Sequence, residues 1–174
     1  MNFDDKNFTL LLNVDKNQLD FSGLRKIAGQ NGFDEKNELH ITIIGFKNGA
    51  EIKKILQTLS REDQEDIIYQ IKSLTNNMDW SFTLKPERYH ISKEYAFRGP
   101  QGAFKEKRES YIQMANMPCI KNFYDILNKI LGTNLETPPP HITLFTSGDN
   151  REKAKMGIGI NSEAELAQLN PKPI

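Results

Sequence analysis

Three histidines occur in the 174 residues, and two of them stand in matching settings, His40-Ile41-Thr42-Ile43 and His141-Ile142-Thr143-Leu144. A neutral imidazole accepts a proton and an imidazolium donates one, and both forms are accessible near neutral pH because the ordinary pKa is about 6.5. Two histidines on opposite sides of a phosphodiester can therefore divide the work of cleaving it. One deprotonates the attacking hydroxyl or water, and the other protonates the departing oxygen, with the two oxygens in line through phosphorus. Side chains alternate along a strand, so the residue two places on projects from the same side as its histidine. Thr42 and Thr143 are thereby placed to donate to the non-bridging oxygens, where charge develops. A single strand histidine is usually just satisfied by a carbonyl, and a strand threonine needs no functional account. The matched pairs are what point to chemistry.

The flanking residues specify the elements that must hold these groups. Glu38 to Gly45 is rich in β-branched residues and reads as a strand with His40 and Thr42 on one face, Ile41 and Ile43 on the other. Thr137-Pro138-Pro139-Pro140 keeps the backbone extended and delivers the chain into a second strand, His141 to Phe145. A helix is expected before each: about Asp20 to Gln30, stopped by Asn31-Gly32, and one after Pro118 that carries Ile120, Phe123, Ile126, Leu127, Ile130 and Leu131 and stops at Gly132. Phe8 to Val14 reads as a buried strand. From Ala50 to about Asn77 the apolar spacing predicts two packed helices with Ser60 as the N-cap between them. Trp80 to Leu84, Arg88 to Phe97 and Ser110 to Ala115 read as strands, with Gly99-Pro100-Gln101-Gly102 as a loop. A short Gly157 to Ile160 strand and a helix from about Ser162 complete the reading.

Composition narrows the function classes. Lys+Arg and Asp+Glu are equal at 23 each, so no strong overall field draws the chain to a long phosphate backbone or an anionic membrane. The single cysteine, Cys119, excludes an internal disulfide, and no Cys-x-x-Cys pair supplies a usual zinc arrangement. The start of the chain, with Asn2, Asp4, Asp5 and Lys6, is unlike a signal peptide, and no apolar run approaches the ~18 residues of a membrane span. A cytoplasmic monomer is expected.

The paired segments His40-Ile41-Thr42-Ile43 and His141-Ile142-Thr143-Leu144, each preceded by a helix, resemble the His-x-Thr motifs of the 2H phosphoesterases. The resemblance covers most of the chain as a pattern, with little residue identity outside the motifs. It implies a single bilobal α+β domain spanning residues 1–174, pseudo-symmetric, with two antiparallel sheets flanking a cleft and helices outside. It also implies metal-independent and cofactor-independent cleavage of RNA-type phosphodiesters: 2′,3′-cyclic phosphate ends, 2′-5′ linkages or cyclic oligonucleotides. The partner expected is then an RNA terminus or a small cyclic nucleotide. A non-catalytic nucleotide- or RNA-binding module with the same cleft is the alternative, and a three-histidine metal site a lesser one.

Around the motifs, alternation between Arg88 and Arg98 puts Tyr89, Ile91, Lys93, Tyr95 and Phe97 on one side, read as core with Lys93 the exception. Arg88, His90, Ser92, Glu94 and Arg98 then line the cleft, His90 as a substrate contact and Arg98 as a bidentate phosphate grip. Lys93 is a further candidate for substrate contact, and Phe46 and Phe145 are candidates for stacking a base.

Overall fold

The two His-Ile-Thr segments fold as neighbouring strands. The computed structural model describes residues 2–99 and 102–174 and is an α+β structure with one large antiparallel sheet. In chain order the elements are β1 (Asn2–Asp4), β2 (Thr9–Asn13), α1 (Leu24–Gln30), β3 (Asp34–Glu35), β4 (His40–Ile44), α2 (Phe46–Gln57) and α3 (Arg61–Asn77). Then come β5 (Thr83–Gly99), β6 (Gly102–Asn116), α4 (Cys119–Leu131), β7 (His141–Gly148), α5 (Arg151–Ala154), α6 (Glu163–Gln168) and β8 (Lys172–Pro173). The strand order is β1-β2-β4-β7-β6-β5-β8, with β3 paired to β7.

Two separate sheets were the expectation; the strands instead join into one. The junction is narrow, because β4 and β7 pair through Ile41 and Ile142 alone, while β2–β4 and β6–β7 are longer ladders. Among the described residues no helix is long and apolar enough to cross a membrane.

Both faces of the sheet are covered. On one, Ile41, Ile43, Ile142 and Leu144 pack with Ile52 and Leu56 of α2, Ile71 of α3, and Phe123, Tyr124 and Leu127 of α4. Fully burying such a side chain stabilises by roughly 1.5–3 kcal/mol, so this layer fixes which way β4 and β7 face. On the other, Ile91, Ile112 and Met114 of the β5–β6 hairpin meet Ile158, Ile160 and Leu166 from the C-terminal segment. That second, smaller core leaves the β4–β7 part of its face open to side chains of another kind.

Most of the helices follow their local signals. The Ser60 hydroxyl accepts from the Asp63 N–H and separates α2 from α3, and Ser162 does the same for Glu165 ahead of α6. Gly132 takes the left-handed conformation, φ 61°, that ends α4. Three expectations are corrected. The strands predicted between Trp80 and Ala115 merge into one long hairpin; Pro100 and Gln101, from the predicted loop, lie outside the described residues. Residues 157–160 form no strand: Ile158 and Ile160 are both buried while the segment runs irregularly across the sheet. Finally, α2 begins at Phe46, directly behind the first motif, earlier than the apolar spacing suggested.

Candidate active site

Because Ile41 and Ile142 face each other and both enter the helix-covered core, His40, Thr42, His141 and Thr143 all project from the opposite side of the sheet. Carrying the antiparallel register one residue each way brings His40 toward Thr143 and Thr42 toward His141. The neighbouring ladder agrees: β6 pairs Ile112 with Thr143 and Met114 with His141, and both partners belong to the second core. On the far side β2 sets Asn13 opposite His40 and Leu11 opposite Thr42.

His141 is buried, and its Nδ1 donates to the Pro139 carbonyl oxygen at 2.8 Å. A carbonyl only accepts, so Nδ1 carries the proton and the neutral ring keeps its lone pair on Nε2. The proline run thus does more than extend the chain; it fixes the tautomer of the histidine that follows. Burial pushes His141 below the ordinary value, opposed by the Pro139 carbonyl. His40 is half-buried, and burial, the Lys36 ammonium and His141 all lower it, with Glu38 pulling the other way. That His141 influences His40 electrostatically follows from their nearness across the β4–β7 junction.

Several neighbours carried no warning in the sequence. The Lys36 amide is tied to Leu144 and its ammonium donates to the Lys155 carbonyl at 2.6 Å, leaving a half-buried cation close to His40. Ser110 is fully buried with an unpartnered hydroxyl, and both it and the Thr143 hydroxyl border Gly157, whose φ is +75°. A Cβ at Gly45 would meet both the Thr42 methyl and the Asn161 Oδ1, so these two groups converge over the glycine. The start of α2 opens there, with Gly45 as an N-cap that offers no side-chain bond, so the positive end of that helix dipole lies beside Thr42. Spacing alone identifies none of these groups, since each arrives from a loop or an adjacent strand.

Asn161 is held by Glu165, which accepts from its backbone N–H at 2.9 Å and its side-chain Nδ2 at 2.8 Å, while Lys47 of α2 reaches the same carboxylate at 2.8 Å. Burial pushes Glu165 up, but Lys47 and Asn161 outweigh it and hold the carboxyl at about 2. The clamp therefore stays charged until strongly acid pH, and whatever stability it adds is present above the ordinary carboxylate range and lost as pH falls toward 2. Glu165→Ala should cost about 1 kcal/mol of stability, since Lys47 is largely exposed, but release Asn161 from its place beside Gly45. Thermal unfolding and steady-state kinetics on the variant check this: a small drop in Tm with a larger drop in turnover is expected.

The remaining sequence candidates fall elsewhere. Pairing of Tyr89 with Ile112 and Ile91 with Ser110 puts Tyr89, Ile91, Lys93, Tyr95 and Phe97 on the histidine face, the reverse of the expected orientation. His90 and Arg98 point from the other face. There His90 meets Glu109 at 3.0 Å and the rings of Phe33 and Tyr111, beside a cavity of about 250 Å³ that Ser92, Lys107 and Lys172 also line. Arg98 is exposed near the hairpin tip. Lys93 lies over the Tyr95 ring at 5.4 Å. Phe145 is 2 % exposed and packs edge-on against Phe21 and Tyr111, because a bulge in β7 against Tyr111 and Ile112 turns it to the helix-covered core. Phe46 is 72 % exposed at the first position of α2, three residues past Ile43 and next to the site.

Among the described residues no three His, Cys, Asp or Glu side chains gather as a metal-binding set. No family model, curated protein or solved structure matches the chain.

Proposed function

We propose that this protein is a metal-independent phosphodiesterase of the 2H type that acts on RNA-type phosphodiesters by general acid and base catalysis. The carrying observation is the placement of His40, Thr42, His141 and Thr143 on one face of two adjoining antiparallel strands, centred on the Ile41–Ile142 pair. A two-lobed, pseudo-symmetric organisation belongs to the same proposal: each half contributes one histidine strand, and these two strands pair at Ile41–Ile142.

In this reading His141 is the base. Its Nδ1 is committed to Pro139, so Nε2 takes the proton from the attacking hydroxyl or water. The new oxygen–phosphorus bond forms as the opposite one breaks, and His40, as imidazolium, protonates the leaving oxygen. The two threonine hydroxyls, the Lys36 ammonium and the N-terminus of α2 stabilise charge on the non-bridging oxygens. The cycle ends with His141 protonated and His40 neutral, and exchange with solvent resets both.

The test is a product screen of 2′,3′-cyclic nucleotides, 2′-5′ oligonucleotides and cyclic di- and trinucleotides with chelator present. Wild type is compared with the His40→Ala/His141→Ala double variant. Product from wild type alone supports the reading; binding without product at any pH favours a non-catalytic nucleotide-binding module; activity lost to chelator and restored by zinc replaces the mechanism.

The pH profile is a further expected outcome. Catalysis by free enzyme needs His40 protonated and His141 neutral, and both lie below the ordinary 6.5. The population with His40 charged therefore shrinks before neutral pH is reached, and kcat/KM should peak on the acid side of 6.5 and fall as pH rises. A profile of kcat/KM over about pH 4.5 to 8 checks this, and a maximum above neutrality would overturn catalysis by these two histidines with both held below the ordinary value.

A further inference from the structure

Ser110 of β6 stands beside the histidine pair and has no part in the acid and base chemistry. Its pairing with Ile91 on one side and Thr146 on the other turns it to the histidine face, where Ile91 belongs to the second core. Ser110 is 0 % exposed, and its hydroxyl has no hydrogen-bond partner among the described residues, Thr146 included. Thr143, on the adjoining strand, is only half-buried. Both hydroxyls converge on Gly157, which has φ +75° and no side chain to intervene: a Cβ there would stand 3.5 Å from the Thr143 Oγ1 and 3.9 Å from the Ser110 Oγ. The Gly157 N–H is committed to the Ala154 carbonyl and Ile158 is anchored in the second core, so the glycine is held over the two hydroxyls. The β6–β7 bulge falls between Ser110 and Thr143, an irregularity of the kind that re-aims side chains next to active sites.

For packing alone, alanine would serve better at this position, because a hydroxyl buried without a bond is destabilising. The unmet hydroxyl gains a role once Thr143 acts. A threonine hydroxyl has one proton and two lone pairs, so when Thr143 donates to a non-bridging oxygen its own oxygen is left to accept. Rotation between staggered positions about the Cα–Cβ bond turns the serine hydroxyl toward it. The resulting chain, serine to threonine to phosphate, polarises the threonine and strengthens its donation as charge develops. We propose that Ser110 is a positioning residue for Thr143, donating to the threonine hydroxyl and so fixing and strengthening its hydrogen bond to the phosphodiester. This role rests on the phosphodiesterase reading and deepens it. No contact with substrate is required of Ser110, whose oxygen is buried behind Thr143.

The experiment measures kcat, KM and Tm for wild type and Ser110→Ala, and for Thr143→Val and Thr42→Val with and without Ser110→Ala. The probes are 2′,3′-cyclic AMP, a 2′-5′-linked dinucleotide and a cyclic dinucleotide. Thr75→Val is the control, because Thr75 also buries an unpartnered hydroxyl but lies on α3, whose Ile71 belongs to the core on the other face of the sheet. Ser110→Ala should lower kcat about three- to tenfold, the worth of one neutral hydrogen bond, with KM within about twofold and Tm unchanged or higher. Thr75→Val should leave kcat unchanged. Ser110→Ala should add no further loss to Thr143→Val but its full loss to Thr42→Val. Equal kcat in wild type and Ser110→Ala, or the same loss in both threonine backgrounds, overturns the role. So does a fall in Tm accompanying the loss of turnover, which would make Ser110 a structural bond of the resting protein. No turnover of any probe by wild type removes the phosphodiesterase reading and this role together; turnover indifferent to Ser110 removes the role and leaves the reading.

Discussion

Replacing either histidine by alanine should lower turnover by about 10²- to 10⁴-fold, yet the two variants should part company when the leaving group is changed. A 3′-phosphodiester with a nitrophenolate leaving group departs without protonation. His40→Ala, lacking the acid, should therefore recover most of its loss on that substrate, while His141→Ala, lacking the base, should recover none. The asymmetry comes from Pro139, which fixes the His141 tautomer, and from the Lys36, Glu38 and His141 surroundings of His40. Rates on natural and activated substrates, with each variant's folding checked by circular dichroism, decide it. Equal recovery by both would show that the roles are not divided as described, and recovery by His141→Ala alone would exchange them.

The second large effect concerns stability and sets two glycine-to-alanine changes against each other. Gly49 in α2 packs directly on the turn between β1 and β2. A methyl there would collide with the Asn7 carbonyl oxygen and come within 3.0 Å of that of Phe8, which itself has φ 52°. Backbone is on the other side of the contact, so little can yield, and overpacking of this kind costs about 1–3 kcal/mol. Gly29 in α1 has open space at the same position, and alanine is worth up to about 1 kcal/mol in a helix. Gly49→Ala should accordingly lower Tm by several degrees and Gly29→Ala raise it slightly, at about 2–4 °C per kcal/mol for a chain of this size. Thermal denaturation of the two variants measures both, and a neutral Gly49→Ala would mean that α2 sits further from the turn than described. Since α2 starts beside Thr42, its displacement should also lower turnover.

The quartet of histidines and threonines was legible because period two in a β-branched strand is a robust signal, and the apolar partners Ile41 and Ile142 enforce it by entering the core. Orientation of the hairpin was not. Alternation separates Tyr89, Ile91, Tyr95 and Phe97 from His90, Ser92 and Arg98 correctly, but assigning the apolar set away from the chemistry assumes that only one face is buried. Here both faces have cores, and the apolar set shares the side of the histidines. Phe145 illustrates a different limit. Strict alternation from His141 and Thr143 would put it in the site, and one bulged residue, invisible in the spacing, sends it to the opposite core. Lys36, Ser110 and Asn161 meet the site only through long-range pairing and through a C-terminal segment whose position depends on Ile158, Ile160 and Leu166 finding the second core.

The lone Ile41–Ile142 pairing has a consequence for direction. Half a turn about that pair exchanges His40 with His141 and Thr42 with Thr143, so the four side chains taken alone have no forward sense. On the proposed mechanism a phosphodiester entering either way round would meet a ring nitrogen on each side and a hydroxyl beside each. Direction comes from what lies outside the quartet and breaks the exchange: Pro139 behind one ring, Lys36 before the other, and the β5–β6 ribbon rising from a single side. On the proposed mechanism, hydrolysis and transfer to a ribose would differ only in which oxygen, water's or ribose's, is admitted at the His141 side.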